Sequence, residues 1–160
     1  MKRKTCIKCI ALSIIMIVYA GLSLTLFSFA DMPFDSDEAL HALDGLQIAA
    51  DIHHRDAKAF LEDFYFTGWY PPLLSTYLGL FFTLLKPSYW SARYLVLLLA
   101  IIYLALMYRV SVKLAKNPIS GLTTMFLAAT SPLIWIHSLL CMEEFLAMIG
   151  VLLTVLVYIQ

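Results

Sequence analysis

The chain alternates long apolar runs with short polar breaks, and the breaks mark where each helix is expected to start and stop. Cys9 to Ala30 carries no charge. About 20 such residues, each rising 1.5 Å, cross a hydrocarbon core of roughly 30 Å, so the pattern predicts a first spanning helix over 9–30. Lys2, Arg3, Lys4 and Lys8 precede it, and basic flanks stay on the cytoplasmic side. Ser28-Phe29-Ala30 has the small-x-small form of a signal-peptide cleavage site. A signal's apolar region is only about 7–15 residues, so a retained helix is the expectation. Further apolar runs predict spans over about 71–86, 94–108, 119–137 and 144–159. Lys86-Pro87-Ser88, Asn117-Pro118 and Glu143-Glu144 separate them, and Ser131-Pro132 interrupts the fourth.

Between the first two runs lies a polar island, residues 31–70, with helical grammar of its own. Asp35 followed by Glu38 fits a capping box. Asp37, His41, Asp44 and Asp51 then fall on one helix face, while Leu40, Leu43 and Leu46 fall on another. Ala42, Gly45 and Ala49 form a small-residue stripe that lets a neighbouring helix come close. This is the pattern of an amphipathic helix at a membrane surface, with the acidic face solvated. His53-His54-Arg55-Asp56 breaks it, and 56–66 predicts a second short interfacial helix. Phe64-Tyr65-Phe66 with Trp69-Tyr70 makes an aromatic belt. Pro71-Pro72 then opens the next helix, where a missing N–H is harmless.

Composition strengthens the membrane reading. The chain is 62% hydrophobic and only 14% charged, against roughly 45–50% and 25% in soluble domains. A soluble domain of 160 residues cannot hide that much apolar side chain. The expected fold class is therefore all-α: a polytopic membrane helix bundle with an external loop of short interfacial helices between its first two spans. Formal net charge is zero and there is no basic run suited to nucleic acid, so no nucleic-acid partner is expected. Charge is segregated, with nine of the eleven acidic residues between Asp31 and Asp63. Three cysteines, Cys6, Cys9 and Cys141, form no disulfide framework, and the lone CxxC of Cys6 and Cys9 is a weak zinc signal.

The candidate chemistry centres on Asp37-Glu38. Neighbouring helical residues point about 100° apart, so one carboxylate can take a proton while the other holds a cation or orients its neighbour. Acids in a first turn also simply favour the helix dipole. Asp37 with His41 is half of a metal site, but two ligands do not make one. Glu143 and Glu144 lie between apolar runs, where ionisable groups are expensive and often functional if they sit at membrane depth. Arg93 stands at a segment end, suited to snorkelling toward headgroups or to holding a lipid phosphate. His137 reads as a packed interfacial residue.

The order of these pieces resembles the GT-C superfamily, polytopic glycosyltransferases that use polyprenyl-phosphate sugars. The chain looks most like the dolichyl-phosphate-mannose protein mannosyltransferase family and its bacterial relatives, including the aminoarabinose transferases of lipid A. The matching stretches are Asp37-Glu38-Ala39-Leu40-His41-Ala42, Trp69-Tyr70-Pro71-Pro72-Leu73, Ala92-Arg93, Thr130-Ser131-Pro132, and Glu143 or Glu144. The resemblance covers nearly all of this chain but only the first third or so of such an enzyme, so an N-terminal portion or a truncated reading frame is expected. It implies that Asp37 or Glu38 is the catalytic base and that Glu143 or Glu144 is a second acid. It implies that Arg93, His41 and Tyr70 bind substrate. The reaction implied is inverting transfer of a sugar from a polyprenyl phosphate to an acceptor at the outer face, with a divalent cation as a possible helper. Membrane lipid and the polyprenyl-phosphate sugar are the expected partners, and a bacterial inner membrane the expected location. The lipid A branch has Glu-Lys before its Pro-Pro; this chain has Trp69-Tyr70 and so lacks that lysine.

Strict alternation of five spans leaves a conflict. It puts Arg109, Lys113 and Lys116 outside and Glu143 inside, against both the positive-inside bias and the resemblance. One run is expected not to cross fully, either the short one from Pro71 or the one broken at Ser131-Pro132. Two other functions fit the same residues: a small non-catalytic multi-pass protein, and an ion or metal transporter using Asp37, His41 and Glu143.

Overall fold

Every element of the structure, a computed structural model, begins or ends at one of those polar breaks. The backbone is described for residues 2–29, 33–66 and 70–159, and side chains for 10–26, 33–65 and 70–159. The expectations placed on Asp31, Trp69, the side chains of Cys6 and Cys9, and the 28–30 cleavage site lie outside the described residues. Within them the chain is all-helical, with no strand.

Helix α1 (Lys2–Phe29) is the first apolar run. The external loop folds into α2 (Ser36–His54) and α3 (Ala57–Phe66). The expected capping box starts α2: Asp35 Oδ1 accepts from the Ser36 N–H at 2.7 Å, and Glu38 Oε2 accepts from the Asp35 N–H at 3.1 Å. Arg55, in the left-handed region at φ 56°, ends it. Helix α4 (Leu73–Leu84) starts from Pro72 as expected, but its 12 residues reach only about 18 Å. That is well short of the roughly 30 Å expected of a second span.

Helix α4 packs along α2 rather than away from it. A Cβ placed on Gly45 would sit 2.7 Å from the Leu78 Cβ and 3.3 Å from the Ser75 carbonyl oxygen. One placed on Gly79 would meet Ile48 at 2.5 Å. The small-residue stripe of α2 thus has its neighbour, with Ile48, Leu74 and Leu78 fully buried at the seam. The two helices run in the same direction, and α3, which precedes α4 in the chain, packs on α2.

Helix α5 (Tyr89–Ala115) is the one helix among the described residues long and apolar enough by itself to cross a membrane. Ser88 caps it in a reciprocal pair with Ser91, and Lys116 with Asn117-Pro118 ends it. One face, carrying Ala92, Val96, Ala100, Tyr103 and Leu104, is buried. Tyr94, Leu98 and Ile102, at four-residue steps, face outward. Helices α6 (Pro118–Ala129) and α7 (Pro132–Leu139) are one apolar stretch bent by 62° at Ser131-Pro132, and count as a second crossing candidate if taken together. Helix α8 (Glu144–Tyr158) closes the chain.

The contacts fix which ends lie together. Phe34, just ahead of α2, packs edge-on against Tyr89 at 4.6 Å. Glu38 reaches both Arg93 and Cys141. The end of α1, the start of α2, the start of α5 and the α7–α8 turn therefore share one end of the molecule. The far end, about 40 Å away along α5, holds the start of α6, the close of α8 and Arg109, Lys113 and Lys116. Ser111 and Thr124 share a hydrogen bond of 2.9 Å between α5 and α6 toward that end.

Candidate functional site

Four separate parts of the chain meet at the α2 end, and Glu38 is the residue that ties them. Its position at the third residue of α2 aims the carboxylate back at the chain entering the helix, where Oε2 accepts the Asp35 N–H. Oε1 accepts the Cys141 N–H at 2.6 Å, across 103 positions of sequence. Arg93 Nη2 lies 4.0 Å from Oε2. Both side chains are buried, Glu38 to 3% exposure and Arg93 to 7%. A buried carboxylate must be paired and hydrogen-bonded, and two backbone donors with one guanidinium supply that here. Arg93 also lies over the Phe34 ring, 5.4 Å from its centre. The expected snorkelling of Arg93 is thus corrected: it turns inward because a buried carboxylate and an aromatic face are waiting.

Asp37 points elsewhere. It is half-buried and accepts a hydrogen bond from the Tyr70 hydroxyl. That bond, then burial, then the negative charges of Asp37 and Glu143, push the Tyr70 pKa above its ordinary value. Asp37, Tyr70 and Glu143 therefore form a second, more open cluster beside the Glu38 anchor. Glu143, at the entry to α8, belongs to it. Glu144 does not: it turns to His137, with Oε1 3.5 Å from Nδ1. The expected packed role of His137 takes the form of that pairing.

His41 corrects the reading of α2 as having a solvated acidic face. It is 1% exposed, its ring 4.8 Å from that of Tyr70. Its Nδ1 is buried with no hydrogen-bond partner among the described residues. Further along α2, burial raises the Asp44 pKa, with Asp63 adding to the rise and His41 offsetting it. Burial also raises Asp51, followed by a hydrogen bond with Asp63 and the charges of Asp63 and Asp56. The α2–α3 seam is thus a carboxylate seam, and Asp63 is its unforeseen member.

The structure brings Asp37, Glu38, His41, Tyr70, Arg93 and Glu143 to one end. Sequence reasoning missed the Cys141 N–H, which is a backbone donor and leaves no side-chain signal. It also missed Phe34 as the platform under Arg93. Burial, followed by the Glu38 charge and offset by Arg93, pushes the Cys141 thiol up to about 12. Among the described residues no three His, Cys, Asp or Glu side chains are placed to hold a metal ion. Both Glu38 oxygens are already engaged with backbone N–H groups, and His41 lies beneath Tyr70. Among the described residues, Glu38 and His41 therefore do not make a site for a resident divalent cation. Beside the anchor, Phe34, Ala42, Leu46, Phe82 and Tyr89 line an apolar groove of about 340 Å³.

No protein-family model, curated protein or solved structure matches this chain.

Proposed function

We propose that the chain is the N-terminal membrane module of a glycosyltransferase that takes its sugar from a polyprenyl-phosphate donor. The observation that carries this reading is the convergence of Asp37, Tyr70 and Glu143 from three distant segments, at the end where Glu38 and Arg93 are locked together. Asp37 is the general base. It is the carboxylate of the adjacent pair that its neighbours leave partly open, and a base must be within hydrogen-bond reach of the acceptor hydroxyl it deprotonates. Tyr70 holds the Asp37 carboxylate in place, and Glu143 completes the acidic wall. Arg93 is the cation nearest the site for the departing phosphate, oriented by Glu38 and Phe34. Glu38 is a positioning residue. The apolar groove beside Phe34 suits the first isoprene units of a lipid donor.

The arrangement of ends also supports a specific membrane orientation. With α4 lying on α2 and not crossing, α1, α5, the bent α6–α7 pair and α8 alternate. The four cations at the start of α1 then share the cytoplasmic side with Arg109, Lys113 and Lys116, as the positive-inside bias requires. The acids 31–63 and 143–144 share the outer side. The outward apolar faces of α1, α5, α6 and α8 (Ile14, Ile17, Leu98, Phe126, Val151 and Val157) meet lipid in this orientation. In water such surface would drive association.

The test is sugar transfer from labelled polyprenyl-phosphate donors in membranes. The protein is expressed with whatever coding sequence continues in frame beyond Gln160. Asp37→Asn is expected to lose transfer by about 100-fold or more while the protein stays in the membrane fraction. Transfer at full rate in both Asp37→Asn and Glu143→Gln would sink the catalytic reading.

A further inference from the structure

The far end of the molecule has a site of its own. Tyr108, Arg109, Val112 and Lys113 of α5 and Leu156 of α8 line a cleft of about 390 Å³. Arg109 and Lys113 are one helical turn apart and both exposed. Val112 and Leu156 give the cleft an apolar floor. No acidic side chain is near: every acidic residue of the chain lies within 31–63 or at 143 and 144, at the opposite end. Neither cation forms an ion pair with a described acid. Lys113 in a last turn also favours the helix dipole, but that needs neither an apolar floor nor a second helix.

We propose that this cleft binds the headgroup of an anionic membrane phospholipid. The phosphate sits between Arg109 and Lys113, Tyr108 lies at the rim, and the first methylenes of the lipid rest on Val112 and Leu156. The charge, the lack of a described acidic side chain at this end and the apolar floor together select an amphiphilic anion rather than a neutral lipid. Basic clefts between helices at the cytoplasmic membrane face are suited to this role. The inference rests on the part of the proposed function that places α5 across the membrane; it does not depend on sugar transfer.

The purified chain in detergent is titrated with phosphatidylglycerol and with phosphatidylcholine of the same acyl chains, and bound lipid is counted by native mass spectrometry. Preferential retention of one phosphatidylglycerol is expected. Arg109→Gln and Lys113→Gln should each weaken it about fivefold. Arg109→Lys should keep most of the binding, which a mere loss of fold would not allow. Lys86→Gln, at the other end, should change nothing. Equal retention of the two lipids overturns the proposal, as does an unchanged preference in both glutamine variants. Displacement by excess glycerol 1-phosphate would assign the cleft to soluble anions and overturn the lipid assignment. Carbonate extraction of the host membranes separates the two failures. A chain that washes out defeats the membrane reading itself, whereas one that stays without a lipid preference defeats only the cleft.

Discussion

Asp37 and Glu38 are neighbours whose side chains serve opposite ends of the problem, one open to a ligand and one buried in structure. Removing Glu38 takes the acceptor from the Cys141 N–H and a carboxylate from beside Arg93, so Glu38→Ala should cost about 1–3 kcal/mol, read as a lowered Tm in detergent. Asp37→Asn keeps an oxygen for Tyr70 and should shift stability by less than about 0.5 kcal/mol. That contrast separates the anchor from the proposed base. Cys141 gives a second check. With its thiol pushed up to about 12 by burial and by Glu38, almost no thiolate exists at pH 8. In a Cys6→Ser, Cys9→Ser background the folded chain should therefore resist maleimide and react only once denatured. The Asp35–Glu38 cap was legible in the sequence because its spacing is local. The burial of His41 was not, because its cover, Tyr70, arrives only after a whole intervening helix.

At the scale of elements, the α2–α4 seam depends on two glycines that meet face to face. Gly45→Ala or Gly79→Ala forces a methyl into space that Leu78 or Ile48 already fills. Each should cost about 1–3 kcal/mol, measured as thermal unfolding. The stripe of small residues announced a close neighbour, but not which one. Helix α4 was expected to span because its apolar run is dense. It is one of the shorter apolar helices, and one side of it meets α2. The α2–α3 seam predicts a pH effect. Asp51 carries a raised pKa when folded, so its contribution is fully present below the ordinary carboxylate range and is lost as pH rises through the raised value. Helix α3 should be held more loosely at pH 7 than at pH 4. Asp63→Asn should narrow the difference without abolishing it, since burial of Asp51 remains, seen as slower amide exchange of residues 57–66 at neutral pH after correction for intrinsic rates.

For the whole molecule, the sequence carried the helical class, the break points and the segregation of charge, while the number of crossings stayed ambiguous because length and hydropathy cannot tell a lipid-facing run from one that packs on a neighbour. A labelling experiment reads the topology directly. Cysteines at positions 62 and 86 should react with an impermeant thiol reagent from one side of a sealed vesicle, and one at 113 from the other, in the Cys6→Ser, Cys9→Ser background. Labelling of 62 and 86 from opposite sides would mean that α4 crosses. One contact has a further bearing, on the order of assembly. The hydrogen bond from the Cys141 N–H closes a loop of 103 positions onto Glu38. At about 5–20 residues per second of synthesis, Glu38 waits on the order of 5–20 s for its donor. Through that interval the acid is made but not yet buried, and Arg93 joins it before the backbone of the α7–α8 turn exists. The nascent chain therefore holds this end open to water until the α7–α8 turn arrives. A ribosome stalled between residues 93 and 141 should leave Glu38 reachable from solution, and one stalled after the turn has emerged should not.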